Sequence, residues 1–218
     1  MRPNPKYLAL VILMAGSASA LQAQRRDRGL VELPPRPVRA GLYFTGSVGA
    51  GSEQCKFETE PCAILDPDGN AIPSDDTWRK SITSPSFQLR LGGTPSRNVR
   101  LGGELFGWSA DNGPNTERTV GLLLSGQFYP SRRDGLYLKG GLGMGWSTTD
   151  FNDGTGVTEN GFIGNIGAGW EFALTPHVAV GPVIDFYQAS YPHAGDETLS
   201  ERFLYVGLSL TLQSGRRF

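Results

Sequence analysis

Read in steps of two, the chain after residue 40 alternates between apolar and polar or small positions. Leu42, Phe44, Gly46, Val48 and Ala50 oppose Tyr43, Thr45, Ser47 and Gly49, and Phe87, Leu89 and Leu91 oppose Gln88, Arg90 and Gly92. Val99, Leu101, Gly103 and Leu105 face away from Arg100, Gly102, Glu104 and Phe106, and Val120, Leu122, Leu124 and Phe128 from Gly121, Leu123, Ser125 and Gln127. Four cleaner stretches follow, led by Leu136-Leu138-Leu142-Met144-Trp146, Phe162-Ile166-Ala168-Trp170-Phe172, Val178-Val180-Pro182-Ile184-Phe186 and Leu204-Val206-Leu208-Leu210-Leu212. A period of two with this contrast predicts eight β-strands, each of about ten residues.

Charge tells which face meets what. Arg90, Arg100, Glu104, Lys139, Glu171 and Asp185, the charges in the middle of these stretches, all fall on the non-apolar face. A charge facing lipid at mid-depth costs about 2–4 kcal/mol. Three positive and three negative side chains on the other face can neutralise one another inside a closed sheet. The expected fold is all-β: an eight-stranded antiparallel up-and-down transmembrane β-barrel with short periplasmic turns and long extracellular loops. A soluble barrel or sandwich is the rival, burying the apolar face and exposing Arg90, Glu104 and Lys139.

The connections favour the membrane. Short links (94–98, 130–135 and 173–177) alternate with long polar ones, the longest running from about Ser52 to Pro85. Short inner turns and long outer loops are the asymmetry of outer-membrane barrels. Aromatics then gather at two rims: Phe87, Trp108, Trp146, Phe162, Phe186 and Phe203 outside, Phe44, Phe128, Tyr129, Trp170 and Phe172 inside.

Composition adds export. No stretch beyond the N-terminus has the ~20 apolar residues of a spanning helix. Residues 1–23 read as a signal peptide: Arg2 and Lys6, the apolar run Leu8–Ala15, then Ala18-Ser19-Ala20, with a second cleavage option after Ala23. Residues 24–40, rich in proline, read as a periplasmic lead-in and 41–218 as the barrel. Cys55 and Cys62, the two cysteines, suit a small disulfide-closed loop in an oxidising compartment, with a metal pair as the alternative. Near-balanced charge gives no reason to expect a nucleic-acid partner.

Eight strands enclose a lumen that side chains can fill. Tyr43, Tyr137, Tyr187 and Tyr205 face a glycine-rich lining, an arrangement that fills space between strands. The six charges then form either a salt-bridge plug or the walls of a narrow path for ions or small solutes. Asp66–Asn70 and Asp150–Gly154 read as turns rather than calcium loops. A lipid-modifying enzyme is the minor alternative. His193 lies near Ser190, Asp196 and Glu197, and His177 in an inner turn, but neither stands in a catalytic motif, and no catalytic residue, cofactor or metal is assigned.

Three stretches carry a resemblance: Gly41–Gly49, Gln127–Pro130 running into Gly135–Gly143, and Val180–Tyr187. Over residues 40–218 the chain resembles the small eight-stranded outer-membrane β-barrels of the OmpA/OmpX type. That resemblance implies export, insertion by the barrel-assembly machinery and closure of the first strand on the last. Phe218 shares the parity of Leu204–Leu212, as an aromatic terminal residue of such barrels does. The function expected is structural or surface-interacting, through outer loops open to an extracellular ligand, in a monomer surrounded by outer-membrane lipids.

Overall fold

The alternation folds into eight long strands: β1 (Gly41–Phe57), β2 (Ile82–Ser96), β3 (Val99–Asn112), β4 (Asn115–Phe128), β5 (Leu136–Phe151), β6 (Gly156–Trp170), β7 (Val178–Pro192) and β8 (Thr198–Gln213). The structure, a computed structural model, describes residues 39–57, 60–62, 64–65, 71–72, 78–79, 81–112, 115–131, 134–151, 154–192 and 198–215. Residues 1–38, with the signal peptide and most of the proline-rich lead-in, lie outside these, as do the Asp66–Asn70 run, His193, Asp196, Glu197 and Phe218.

Each strand pairs antiparallel with its neighbour in sequence. β1 also pairs with β8, from Tyr43↔Gln213 to Phe57↔Leu199, so the sheet closes and no barrel strand is left with a free edge. Two short strands extend the same sheet, Glu60–Pro61 against the end of β1 and Phe172–Ala173 against the start of β7, and Ile64–Leu65 pairs with Ala71–Ile72 apart from it.

Burial is inverted relative to a water-soluble fold. Leu124 and Phe162 are each 80% exposed and Leu142 77%, while Arg100 and Glu104 are fully buried. Large apolar side chains cover the outer wall, a surface that only lipid or another apolar partner makes favourable. The soluble rival fails on this point. The apolar belt ends on the outer side at Ala50, Pro85, Gly107, Val120, Trp146, Phe162, Phe186 and Leu204, beyond which outward positions turn polar.

The strands exceed ten residues because they continue past that belt. On β1 the pattern goes on through Ser52, Gln54 and Lys56, and on β3 through Ser109 and Asp111, outward positions that are now polar. The three outer connections after the first are therefore mostly strand: only two residues separate β3 from β4.

Trp146, Phe162, Phe128, Trp170 and Phe172 do face outward at the rims, but three expected girdle residues do not. Trp108, Phe203 and Tyr129 are buried inside. Trp108 shares the parity of Glu104 and Phe106, and Phe203 that of Tyr205, and a period of two holds such residues on one face. Tyr129 follows β4 and turns inward, its amide bonded to the Asn98 carbonyl at 2.8 Å.

Glycine lets the lining close. Tyr137 lies opposite Gly169 in the β5–β6 register, and a β-carbon on Gly169 would collide with the tyrosine ring. A β-carbon on Gly207 would strike Tyr205 in the same way. The interior is thus packed with large rings on a floor of bare backbone.

Candidate functional site

The lumen contains four layers of side chains from the periplasmic to the extracellular end. In the first, Arg100 of β3 donates from Nη1 to Glu171 Oε1 and to the Tyr129 hydroxyl, both at 2.6 Å, and from Nη2 to Gln213 Oε1 at 2.7 Å. Thr211 adds a bond to the same Glu171 oxygen at 3.2 Å. Glu171, expected on the sixth strand, sits just past its end and still points inward. Arg39, ahead of β1, covers this layer from below, with its Nε 4.0 Å from Glu171 and its Nη1 bonded to the Ser131 carbonyl at 3.3 Å.

The second layer centres on Lys139 of β5. Its ammonium lies 2.8 Å from Glu104 Oε1 of β3 and 2.8 Å from Asp185 Oδ2 of β7, so two salt bridges cross the lumen. Tyr187 donates to Glu104 at 2.5 Å, Asn165 to Glu104 at 3.0 Å and Gln88 to Asp185 at 2.6 Å. Such bonds offset part of the cost of taking three charges out of water. Arg90 faces Glu104 across the β2–β3 pairing without a salt bridge, its guanidinium carbon 5.7 Å from the centre of the Tyr137 ring. All six charges read from the sequence are inside, and five are joined in two salt-bridged groups.

The third layer has no charge. Phe106 stacks on Tyr187 at 4.1 Å, Phe203 meets Phe106 edge-on at 5.4 Å and Trp108 meets Phe203 at 5.5 Å. Trp108 anchors itself by donating to the Gly51 carbonyl at 3.0 Å. Leu123, Ile163 and Val183 fill the remaining cross-section. Alternation alone shows that these positions face inward; it does not show that three strands place aromatics at one height.

The fourth layer stands above the apolar belt, in the part of the barrel outside the membrane. Arg79, between β1 and β2, reaches into the mouth and holds Glu53 by a salt bridge and Glu117 at 2.5 Å. Burial opposes the Arg79 charge, but the bonds to Glu117 and Glu53 outweigh it and raise its pKa. Its backbone amide donates to the Cys55 carbonyl at 2.9 Å, which also receives the Cys62 amide at 3.4 Å. Cys55 and Cys62 are bonded to each other, Cα atoms 5.6 Å apart, so the metal pair is overturned and the disulfide stands. Nothing in the strand pattern pointed to Arg79, because its position between strands lies outside any periodicity.

Beside it, the carboxylate of Glu201 accepts from Ser147 at 2.6 Å, Thr119 at 3.0 Å and Tyr191 at 3.3 Å, three hydroxyls. Burial pushes its pKa up to about 7, the hydroxyl bonds working the other way. His177 bonds the Gln213 carbonyl at 3.1 Å in the periplasmic turn. Among the described residues no group of three or more metal-ligating side chains converges.

No curated protein matches the chain. Among solved structures, the barrel is similar to Neisserial surface protein A (12% identity, TM-score 0.48, covering 80% of this chain and 97% of that one). It is also similar to OprG of Pseudomonas aeruginosa (13% identity, TM-score 0.45, covering 83% and 100%) and to Ail, the attachment invasion locus protein of Yersinia pestis (14%, 0.42, 78% and 99%). The sequence model described as the outer membrane protein beta-barrel domain matches residues 8–211. With a closed eight-stranded wall, an apolar exterior and that match over most of its length, the chain belongs to the outer membrane protein β-barrel family and is a protein of the outer membrane.

Proposed function

We propose that this protein is a non-conducting membrane anchor that presents its extracellular rim and loops to partners outside the cell. The observation that carries the reading is the uncharged third layer. Phe106, Trp108, Phe203 and Tyr187 are each 3% exposed or less and touch one another across the lumen. An ion crossing such a layer would lose its hydration with no charged group to replace it. Arg39 below and Arg79 above add a further closure at each end. The chemistry left for partners is that of the rim and loops, and none of the interior charges is asked to do more than neutralise the others. An N-terminal signal peptide ending near Ala20 or Ala23, insertion by the barrel-assembly machinery and a monomeric state belong to the same reading.

The test is single-channel recording of refolded protein in planar bilayers. The reading expects no discrete openings from a sample whose folding is verified by heat-modifiable gel mobility. Reproducible openings whose conductance changes in Glu104→Gln or Lys139→Met would overturn it in favour of a narrow path for ions or small solutes.

A further inference from the structure

Just above the apolar belt the outer wall is electrically lopsided. Outward-facing described positions at this level on β7, β8, β1 and β2 are Gln188, Ser190, Ser200, Arg202, Ser52, Gln54, Lys56 and Thr83: two cations and no carboxylate. On the far wall, Arg118 of β4 is matched by Asp150 of β5 at 3.0 Å, and Asp111 of β3 faces outward too. Lys56 and Arg202 have no salt bridge among the described residues. Instead both rest on one ring: Arg202 Cζ lies 4.1 Å and Lys56 Nζ 5.1 Å from the centre of Trp78. Arg202 is also aimed by its Nε donating to Gln54 at 2.9 Å. Cation–π contact with Trp78 holds the two charges side by side without cancelling either.

We propose that this wall is a binding site for a phosphate-bearing headgroup of an outer-leaflet lipid, gripped by Lys56 and Arg202. The height is right, because Arg202 stands two residues beyond Leu204, where the belt ends and headgroups begin. Tryptophan at that level is the side chain an interface favours, with an apolar ring and a polar edge. Arginine supplies a fork of donors matched to phosphate oxygens and lysine a mobile point charge. Among the outward-facing described positions of β7, β8, β1 and β2 above the belt there is no carboxylate. The occupant is thus the phosphorylated glycolipid of the outer leaflet, lipopolysaccharide, held on one side of the barrel.

The experiment uses the full barrel in phosphatidylcholine vesicles with and without lipopolysaccharide, reading the thermal midpoint and the lipid retained on repurification. Lipopolysaccharide is expected to raise the midpoint of the parent and of Arg118→Gln alike. Lys56→Gln/Arg202→Gln is expected to bind roughly thirtyfold more weakly, each lost charge removing about a factor of five. Lipopolysaccharide stripped of its phosphates should give the parent the behaviour of the double variant, and this arm holds even if the variant does not fold. An undiminished shift in the double variant, or with the dephosphorylated lipid, overturns the site. An equal shift from inorganic phosphate in plain vesicles overturns the assignment to a lipid.

Discussion

The guanidinium carbon of Arg39 lies 3.8 Å above the ring of Tyr129, stacked across the periplasmic mouth of the barrel. Arg39 precedes the first strand, whereas Tyr129 follows the fourth, so the contact ties the entry of the chain to the opposite wall. Arg39→Ala is expected to destabilise the barrel by about 1–2 kcal/mol, since a desolvated cation–π contact and a weak tie to Glu171 are lost together. Urea unfolding in detergent measures this, and an unchanged midpoint would show that the stack is incidental.

Removing the central cation should cost more. Lys139→Met leaves Glu104 and Asp185 facing each other across a buried lumen, with a loss of about 3–5 kcal/mol expected. Adding Glu104→Gln and Asp185→Asn should restore much of it, because a neutral, hydrogen-bonded centre has no charge to strand. Glu104→Ala alone should also destabilise, leaving Lys139 with a single carboxylate. Equal urea midpoints for that variant and the parent would contradict the network.

Stability should depend on pH through Glu201. Its pKa rises from 4.5 unfolded to about 7 folded, so the folded state favours the protonated acid. Its contribution is therefore fully present below pH 4.5 and lost as pH rises through about 7. The shift is equivalent to about 3 kcal/mol. Glu201→Gln, which stays neutral, should remove this share of the fall, the rest coming from Glu53, whose pKa burial raises to about 8. Thermal midpoints at pH 4.5 and 8 test it: the parent should fall relative to the variant.

Phe203 holds the aromatic layer together by touching both Phe106 and Trp108. Phe203→Ala should cost about 3–5 kcal/mol of stability. If this layer is what blocks the lumen, the variant should also pass ions through a vesicle where the parent is silent. A folded, silent variant would place the block in the charged layers instead.

Much of this was legible in the residues. The parity of Arg90, Arg100, Glu104, Lys139 and Asp185 placed them inside, because the cost of a charge in lipid leaves no other face. Trp108, Phe203 and Tyr129 were misread for one reason: their nearness to the ends of strands suggested a lipid interface, whereas parity or a local turn decided their direction. The fourth layer was the least legible. Above the belt the outward positions are polar, so Glu53 and Glu201 have no apolar outer face opposite them to reveal which way they point. Arg79 belongs to a connection where no period applies, and only the closed mouth shows that it joins Glu53 of β1 to Glu117 of β4.

The cross-lumen salt bridges also constrain how such a barrel can be built. Of the six charges read from the sequence, taken as hairpins, β2–β3 carries Arg90, Arg100 and Glu104, β4–β5 carries Lys139, and β6–β7 with its turn carries Glu171 and Asp185. The first two are each left with one surplus positive charge and the third with two negative ones. In these charges no hairpin is neutral alone, and Lys139 finds its carboxylates on one strand from each of the other two hairpins. A hairpin entering the bilayer by itself would carry an uncompensated ion with it. Insertion and closure must therefore proceed together, and a half-inserted intermediate is the species this charge arrangement makes least stable.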